Sequence, residues 1–137
     1  MTNNKHILSE NLINNKKINF LDLQLVATLG FIFALILSFL LSYDKKLSLE
    51  NKRRLFTKKQ AQDLSLLQTL LLLIVSLTFL FLNYNQYKLA KFSNSNDQND
   101  LLLQIETSIF AIISAIIGIY IVIKNRNNNL QISEELY

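Results

Sequence analysis

Few residues of this chain could carry chemistry. A single charge, Glu106, lies inside an otherwise apolar stretch, and Asp22 stands near the beginning of another. A charge in the middle of a membrane-spanning helix costs about 2.5–3.5 kcal/mol and commonly marks a functional site. Two acids at one level could form a site for a cation or a proton. The alternative, which we favour, is that both acids lie in first helical turns, where a carboxylate faces the helix dipole.

The second chemical feature is a basic segment, residues 44–62. It carries seven lysines and arginines against Asp44 and Glu50, which leaves a net charge of +5. Cations next to a membrane attract anionic lipid headgroups by about 1 kcal/mol each. The candidate headgroup ligands are Lys52, Arg53, Arg54, Lys58 and Lys59. The alternative is that the segment only fixes the orientation of the chain, which needs no ligand. Nucleic acid is not an expected partner, because no aromatic platform or binding motif accompanies the charge.

Other reactive groups are nearly absent from the sequence. There is one histidine, His6, and no cysteine, so neither a histidine cluster nor a thiolate is available for metal binding or covalent catalysis. A Gly-rich phosphate loop and a serine nucleophile elbow are also missing. We therefore expect a protein without enzymatic activity, with no catalytic residue, no cofactor and no metal.

The elements that position these residues are three long apolar blocks. Half of the 137 residues are hydrophobic, and they are concentrated at 18–43, 63–83 and 101–124. Each block reaches the about 20 residues that a helix needs to cross a bilayer. Within lipid the backbone must satisfy its own hydrogen bonds, which favours helix. The sequence therefore predicts an all-α integral membrane protein whose three transmembrane helices pack as a bundle.

Polar segments flank the three blocks. They are an N-terminal tail at 1–17, the basic loop at 44–62, a polar loop at 84–100 and a C-terminal tail at 125–137. Residues 2–17, 93–100 and 125–133 are rich in Asn or other polar residues, and we expect them to be solvated and partly disordered. Helix starts are predicted at Asn19, Thr57 and Asp97, because each precedes by three residues an acid or amide that can complete a capping box.

The orientation follows from the distribution of positive charge. Of 14 lysines and arginines, seven lie in the first loop, and two, Lys124 and Arg126, lie at the end of the third block and in the tail that follows it. The positive-inside rule then places the N-terminal tail outside and the C-terminal tail inside. Amino acids with AT-rich codons are abundant, which fits a low-GC bacterium or a large DNA virus. The expected membrane is a bacterial cytoplasmic membrane, or a host or virion membrane if the source is viral.

Each span carries a stripe of small or polar side chains at spacings of three and four, which places them on one helix face. Small residues let membrane helices approach closely. The candidate packing residues are Gly30 and Ala34 in the first span and Ala111, Ala115 and Gly118 in the third. In one interpretation these faces pack against each other in a three-helix bundle. In the other, one face stays free to bind a second copy or another membrane protein, and the third span is the best candidate for that face.

Three functions are compatible with these features. We expect a structural or accessory subunit that acts within the lipid bilayer through helix–helix contacts. The overall layout, with three spans, N-terminus outside and a short charged C-terminal tail inside, resembles that of class I phage holins. This resemblance covers layout without a matching motif, and it implies a membrane-permeabilising oligomer. The third alternative is a small ion-conducting or transport bundle that uses Asp22 and Glu106.

Overall fold

The protein is a three-helix structure. The computed structural model describes residues 2–92 and 98–134, with side chains for 7–92 and 98–128. Its helices are α1 (Thr2–Leu49), α2 (Lys58–Phe92) and α3 (Gln98–Glu134), and the described ranges contain no strand. All three are long and apolar enough to cross a membrane. The all-α fold with three such helices, predicted from the sequence, is confirmed.

Each helix is longer than its apolar block. At 1.5 Å per residue α1 is about 70 Å long and the other two are about 50–55 Å, against a hydrocarbon core of about 30 Å. Residues 2–17 and 125–133, expected to be partly disordered, continue α1 and α3 as helix. The helix start predicted at Asn19 is wrong, because α1 passes through it without a break. The start predicted at Asp97 lies outside the described residues, as does 93–97 of the polar loop.

The central helix is α2. It packs against α1 and against α3, whereas α1 and α3 make no close backbone contact with each other within the described residues. Both pairs are antiparallel, since the end of α1 lies next to the start of α2, and Asp63 near the start of α2 lies next to Arg126 near the end of α3. The bundle is therefore held together through α2.

Small residues face α2 along α1. Ala27 and Ala34 are buried there. A Cβ atom built on Gly30 would lie 3.0 Å from Cγ2 of Val75 on α2, which shows how closely the two backbones approach. Two of the sequence-derived packing candidates, Gly30 and Ala34, thus lie at the α1–α2 interface.

The α3 candidates lie on one face of that helix but differ in how deeply they are buried. Ala115 is buried, and a Cβ atom on Gly118 would lie 3.4 Å from Cγ2 of Thr69 on α2, an ordinary contact distance. Ala111 is exposed and borders a groove. Ala115 and Gly118 therefore belong to the α2–α3 interface, and Ala111 lies beside it.

The remaining surface of the helices is strongly apolar. In the most apolar window of each helix only 17%, 6% and 11% of the residues are buried, in chain order. Large side chains such as Phe39, Phe110 and Leu29 point outward. Contiguous apolar surface of this extent is rare on soluble monomers. The pattern is compatible with integration into a membrane.

Candidate functional site at the basic loop

Within the basic loop, residues 44–62, α1 ends at Leu49 in a Schellman motif. The N–H of Lys52 donates to the carbonyl of Leu47 at 2.9 Å, and the N–H of Asn51 donates to the carbonyl of Ser48 at 3.3 Å. Asn51 has φ 54°, a left-handed conformation that Asn tolerates better than most residues. The motif ends α1 and turns the chain back towards the bundle.

The returning loop is bound by one carboxylate, Asp44, whose side chain is only 1% exposed. Its Oδ2 accepts hydrogen bonds from Nε and Nη2 of Arg54, at 3.1 and 2.7 Å. Its Oδ1 accepts the backbone N–H groups of Leu55 at 2.7 Å and of Phe56 at 3.0 Å. A single side chain near the end of α1 therefore fixes three consecutive residues of the loop.

These contacts also determine the charge of Asp44, which follows the predicted span 18–43 on its loop side. The hydrogen bond from Arg54 and those from the amides of Phe56 and Leu55 hold its pKa below the ordinary value of 3.8. Loss of hydration acts in the opposite direction and is outweighed. Asp44 is thus ionised at neutral pH and paired with the guanidinium.

The loop ends in a reciprocal cap at the start of α2. The N–H of Gln60 donates to Oγ1 of Thr57 at 3.2 Å, and the N–H of Thr57 donates to Oε1 of Gln60 at 3.0 Å. This is the capping box predicted from the sequence, and α2 begins at the next residue, Lys58. The helix start predicted at Thr57 is confirmed.

The five cations proposed as headgroup ligands lie in different surroundings. Arg54 is bound to Asp44, and Nζ of Lys52 lies 2.6 Å from a carboxylate oxygen of Glu50. The other three are exposed and form no ion pair with a residue of the described part of the chain: Arg53, Lys58 and Lys59. Only these three present a charge that no acid already compensates.

A cavity of about 290 Å³ lies beside the loop, where the end of α1, the start of α2 and the end of α3 come together. Its wall combines cations, one carboxylate, uncharged polar groups and apolar side chains. The lining residues are Leu41, Asp44, Lys45, Arg54, Lys58, Ala61, Gln62, Ser65, Val122 and Asn125.

Polar contacts also connect α2 and α3 near both ends of their interface. Nδ2 of Asn83 donates to Oγ of Ser108 at 2.9 Å and to the carbonyl of Gln104 at 3.2 Å. At the other end Nη1 of Arg126 lies 3.5 Å from Oδ1 of Asp63. A groove of about 370 Å³ lies beside the Asn83 contacts, lined by Phe31, Val75, Ser76, Phe79, Asn83, Gln104, Thr107, Ser108 and Ala111.

The two acids proposed as an ion site do not contact each other in the structure. The expectation that both acids lie in first helical turns is wrong, because Asp22 lies 20 residues after the start of α1 and Glu106 eight residues after the start of α3. Both side chains are exposed, and they form no hydrogen bond with each other. Within the described ranges no group of three or more His, Cys, Asp and Glu side chains could hold a metal ion. An ion pathway through these two acids stays a prediction.

The sequence does not single out Asp44 as a site residue, because there it only offsets part of the positive charge of the basic loop. Asp44 lies five residues before the last residue of α1, too far from the helix end for the helix dipole to give a signal. No local pattern in the sequence therefore points to a partner for this carboxylate. The partners lie ten to twelve residues further along the chain, beyond the reach of helix-capping patterns.

The fold and the site together define a class: an all-α protein with three helices able to span a membrane and a basic loop bound by a buried carboxylate. No protein-family model, curated protein or solved structure matches this sequence. The function is therefore argued from the geometry.

Proposed function

We propose that this chain is a non-enzymatic integral membrane protein that serves as a structural or accessory subunit through helix–helix contacts. The supporting observation is the arrangement around α2. Because α1 and α3 do not contact each other closely, each keeps a face that no other part of the described chain covers. A further helix, from a second copy or from another membrane protein, would pack against such a face.

The exposed face of α3 has the residues that membrane helices use for association. Apolar bulk alone does not drive association in lipid, since lipid tails are equally apolar, but small and hydroxyl side chains permit close backbone approach. Thr107, Ala111 and Ser114 are exposed at spacings of four and three, on one side of the helix. Two of them, Thr107 and Ala111, border the 370 Å³ groove. We assign this face as the contact surface.

The proposed orientation has the N-terminus outside, the basic loop inside, the second loop outside and the C-terminus inside. It is supported by the seven cations of the first loop. The membrane is a bacterial cytoplasmic membrane, or a host or virion membrane. A reporter fused at Asn51 should respond as internal and one at Asn96 as external. An external Asn51 would contradict this orientation.

The association itself can be tested by crosslinking, since the chain has no cysteine and a single introduced one is unique. Ala111→Cys lies on the exposed face, and Ala115→Cys, one turn further, is buried against α2 and serves as the control. We expect Ala111→Cys to give a crosslinked product of higher mass in membranes and Ala115→Cys to give none. Absence of a product from Ala111→Cys, or equal products from both, would refute the contact surface.

Two further measurements separate the alternative functions. A holin-like oligomer would stop growth when the chain is expressed. An ion-conducting bundle would carry cations across liposomes, and Glu106→Gln would abolish the flux. A structural or accessory subunit should do neither.

A further inference from the structure

We propose that the 290 Å³ cavity beside the basic loop binds the phosphate group of an anionic phospholipid. This inference rests on the membrane integration proposed above. It differs from general attraction to the cationic loop, because it assigns the ligand to particular cations that converge from different elements on one cavity.

The charge of the cavity favours an anion. Three cations line it, namely Lys45, Arg54 and Lys58, and Asp44 is the only acid among the lining residues. Both oxygens of Asp44 are already engaged by Arg54 and by the loop amides. Lys45 on α1 and Lys58 on α2 form no ion pair with any residue of the described ranges. Two uncompensated charges therefore border one space.

The contact with Asp44 also orients the guanidinium of Arg54. Its Nε and Nη2 donate to the carboxylate, while Nη1 has no hydrogen-bond partner within the described part of the chain. An arginine held in this way can donate its remaining N–H groups to a phosphate oxygen with little further ordering. Because Lys58 is also the first residue of α2, the positive end of that helix adds to the attraction.

The rest of the wall suits a ligand that is polar at one end and apolar at the other. Gln62 and Ser65 offer hydrogen-bonding groups, and Leu41 and Val122 offer apolar contact. The cavity lies where the apolar span 18–43 meets the basic loop, which in a bilayer is the level of the headgroups. A phospholipid would place its phosphate among the cations and its acyl chains against the exposed apolar surface below. Inorganic phosphate has no apolar part that could contact the apolar side of the wall.

Neighbouring lysines provide a matched experiment. Lys58 lines the cavity, whereas Lys59 is equally basic and exposed but does not. The protein is reconstituted into nanodiscs of phosphatidylcholine, with or without phosphatidylglycerol. Native mass spectrometry of the protein released from the nanodiscs then measures how much phosphatidylglycerol stays bound to it. We expect Lys58→Gln and Lys45→Gln each to weaken retention about five-fold, the effect of losing one headgroup contact. Lys59→Gln should retain the lipid as the wild type does.

Two outcomes would overturn the proposal. Equal losses for Lys58→Gln and Lys59→Gln would mean diffuse charge attraction without a site. Stabilisation of the detergent-purified protein by inorganic phosphate as large as that by phosphatidylglycerol would assign the site to free phosphate. Recovery of each variant in the membrane fraction is measured in parallel. A variant that still integrates but shows no selective loss contradicts the lipid site alone, whereas failure of the wild type to integrate contradicts the proposed function.

Discussion

Gly30→Ala should weaken the interface between α1 and α2, although it adds only one methyl group. The new Cβ would lie 3.0 Å from Cγ2 of Val75 and 4.0 Å from Cδ1 of Leu71. Carbon atoms in favourable contact are about 3.5–4.0 Å apart. The contact with Leu71 is therefore ordinary, and the contact with Val75 requires a shift of a few tenths of an ångström.

Val75 is poorly able to make that shift. It is only 5% exposed, and a valine in a helix has essentially one rotamer. Overpacking of this kind costs about 1–3 kcal/mol. Replacing a helical glycine by alanine raises the free energy of unfolding by about 0.5–1 kcal/mol, because less backbone entropy is lost on folding. The net loss of unfolding free energy should therefore be about 1 kcal/mol.

The second glycine provides the control for this prediction. At Gly118 the nearest atom to a built Cβ is Cγ2 of Thr69 at 3.4 Å, so Gly118→Ala should be neutral or slightly stabilising. Reversible unfolding in mixed detergent micelles measures both variants. In a double-mutant cycle, Val75→Ala should offset Gly30→Ala by at least about 0.5 kcal/mol. If Gly30→Ala matches Gly118→Ala in stability and shows no coupling to Val75, the close approach of the helices is refuted.

Four further predictions concern the polar groups. Asp44→Asn should speed hydrogen exchange of the two loop amides that Asp44 binds, whereas Glu50→Gln should not; unchanged exchange would contradict the anchor. Folding lowers the pKa of Asp44, so the contribution of this carboxylate to stability is complete above pH 3.8 and is lost as the pH falls through the lower pKa of the folded state. Between pH 5 and 8 this contact should therefore not change the dependence of the unfolding free energy on pH. Asn83→Leu should destabilise the α2–α3 interface by about 0.6–1.7 kcal/mol, whereas Asn85→Leu, which removes a hydrogen bond within α2 only, should cost less; the reverse order would refute the interhelical role. Glu106→Gln should leave thermal stability unchanged between pH 5 and 8, and a pH dependence present only in the wild type would favour an ion pathway.

The sequence could predict those parts of the structure that depend on local chemistry. Three long apolar blocks require helices in lipid, and Thr57 with Gln60 forms a cap within one turn. The extent of α1 was not predictable in this way. Once a helix has formed, each added residue gains a hydrogen bond without a new nucleation step, so polar flanking residues can continue it.

The position of α2 and the anchor at Asp44 depend on tertiary contacts. All three spans carry small or polar stripes, so the stripes alone do not tell which pairs of helices meet. Asp44 acts through loop residues that only the turn at Asn51 brings back to it. Neither relation leaves a periodic signal in the sequence.

The central place of α2 has a consequence for how the molecule is assembled. Since α1 and α3 meet only through α2, the tertiary structure consists of two interfaces that can form one after the other. Every residue of the α1–α2 hairpin, including the loop bound to Asp44, precedes α3 in the chain, so this interface needs no part of α3 to form. The surface of α2 on which α3 packs is likewise independent of α1. Substitutions on the two faces of α2 should accordingly combine additively, as they do between neighbouring units of a repeat protein.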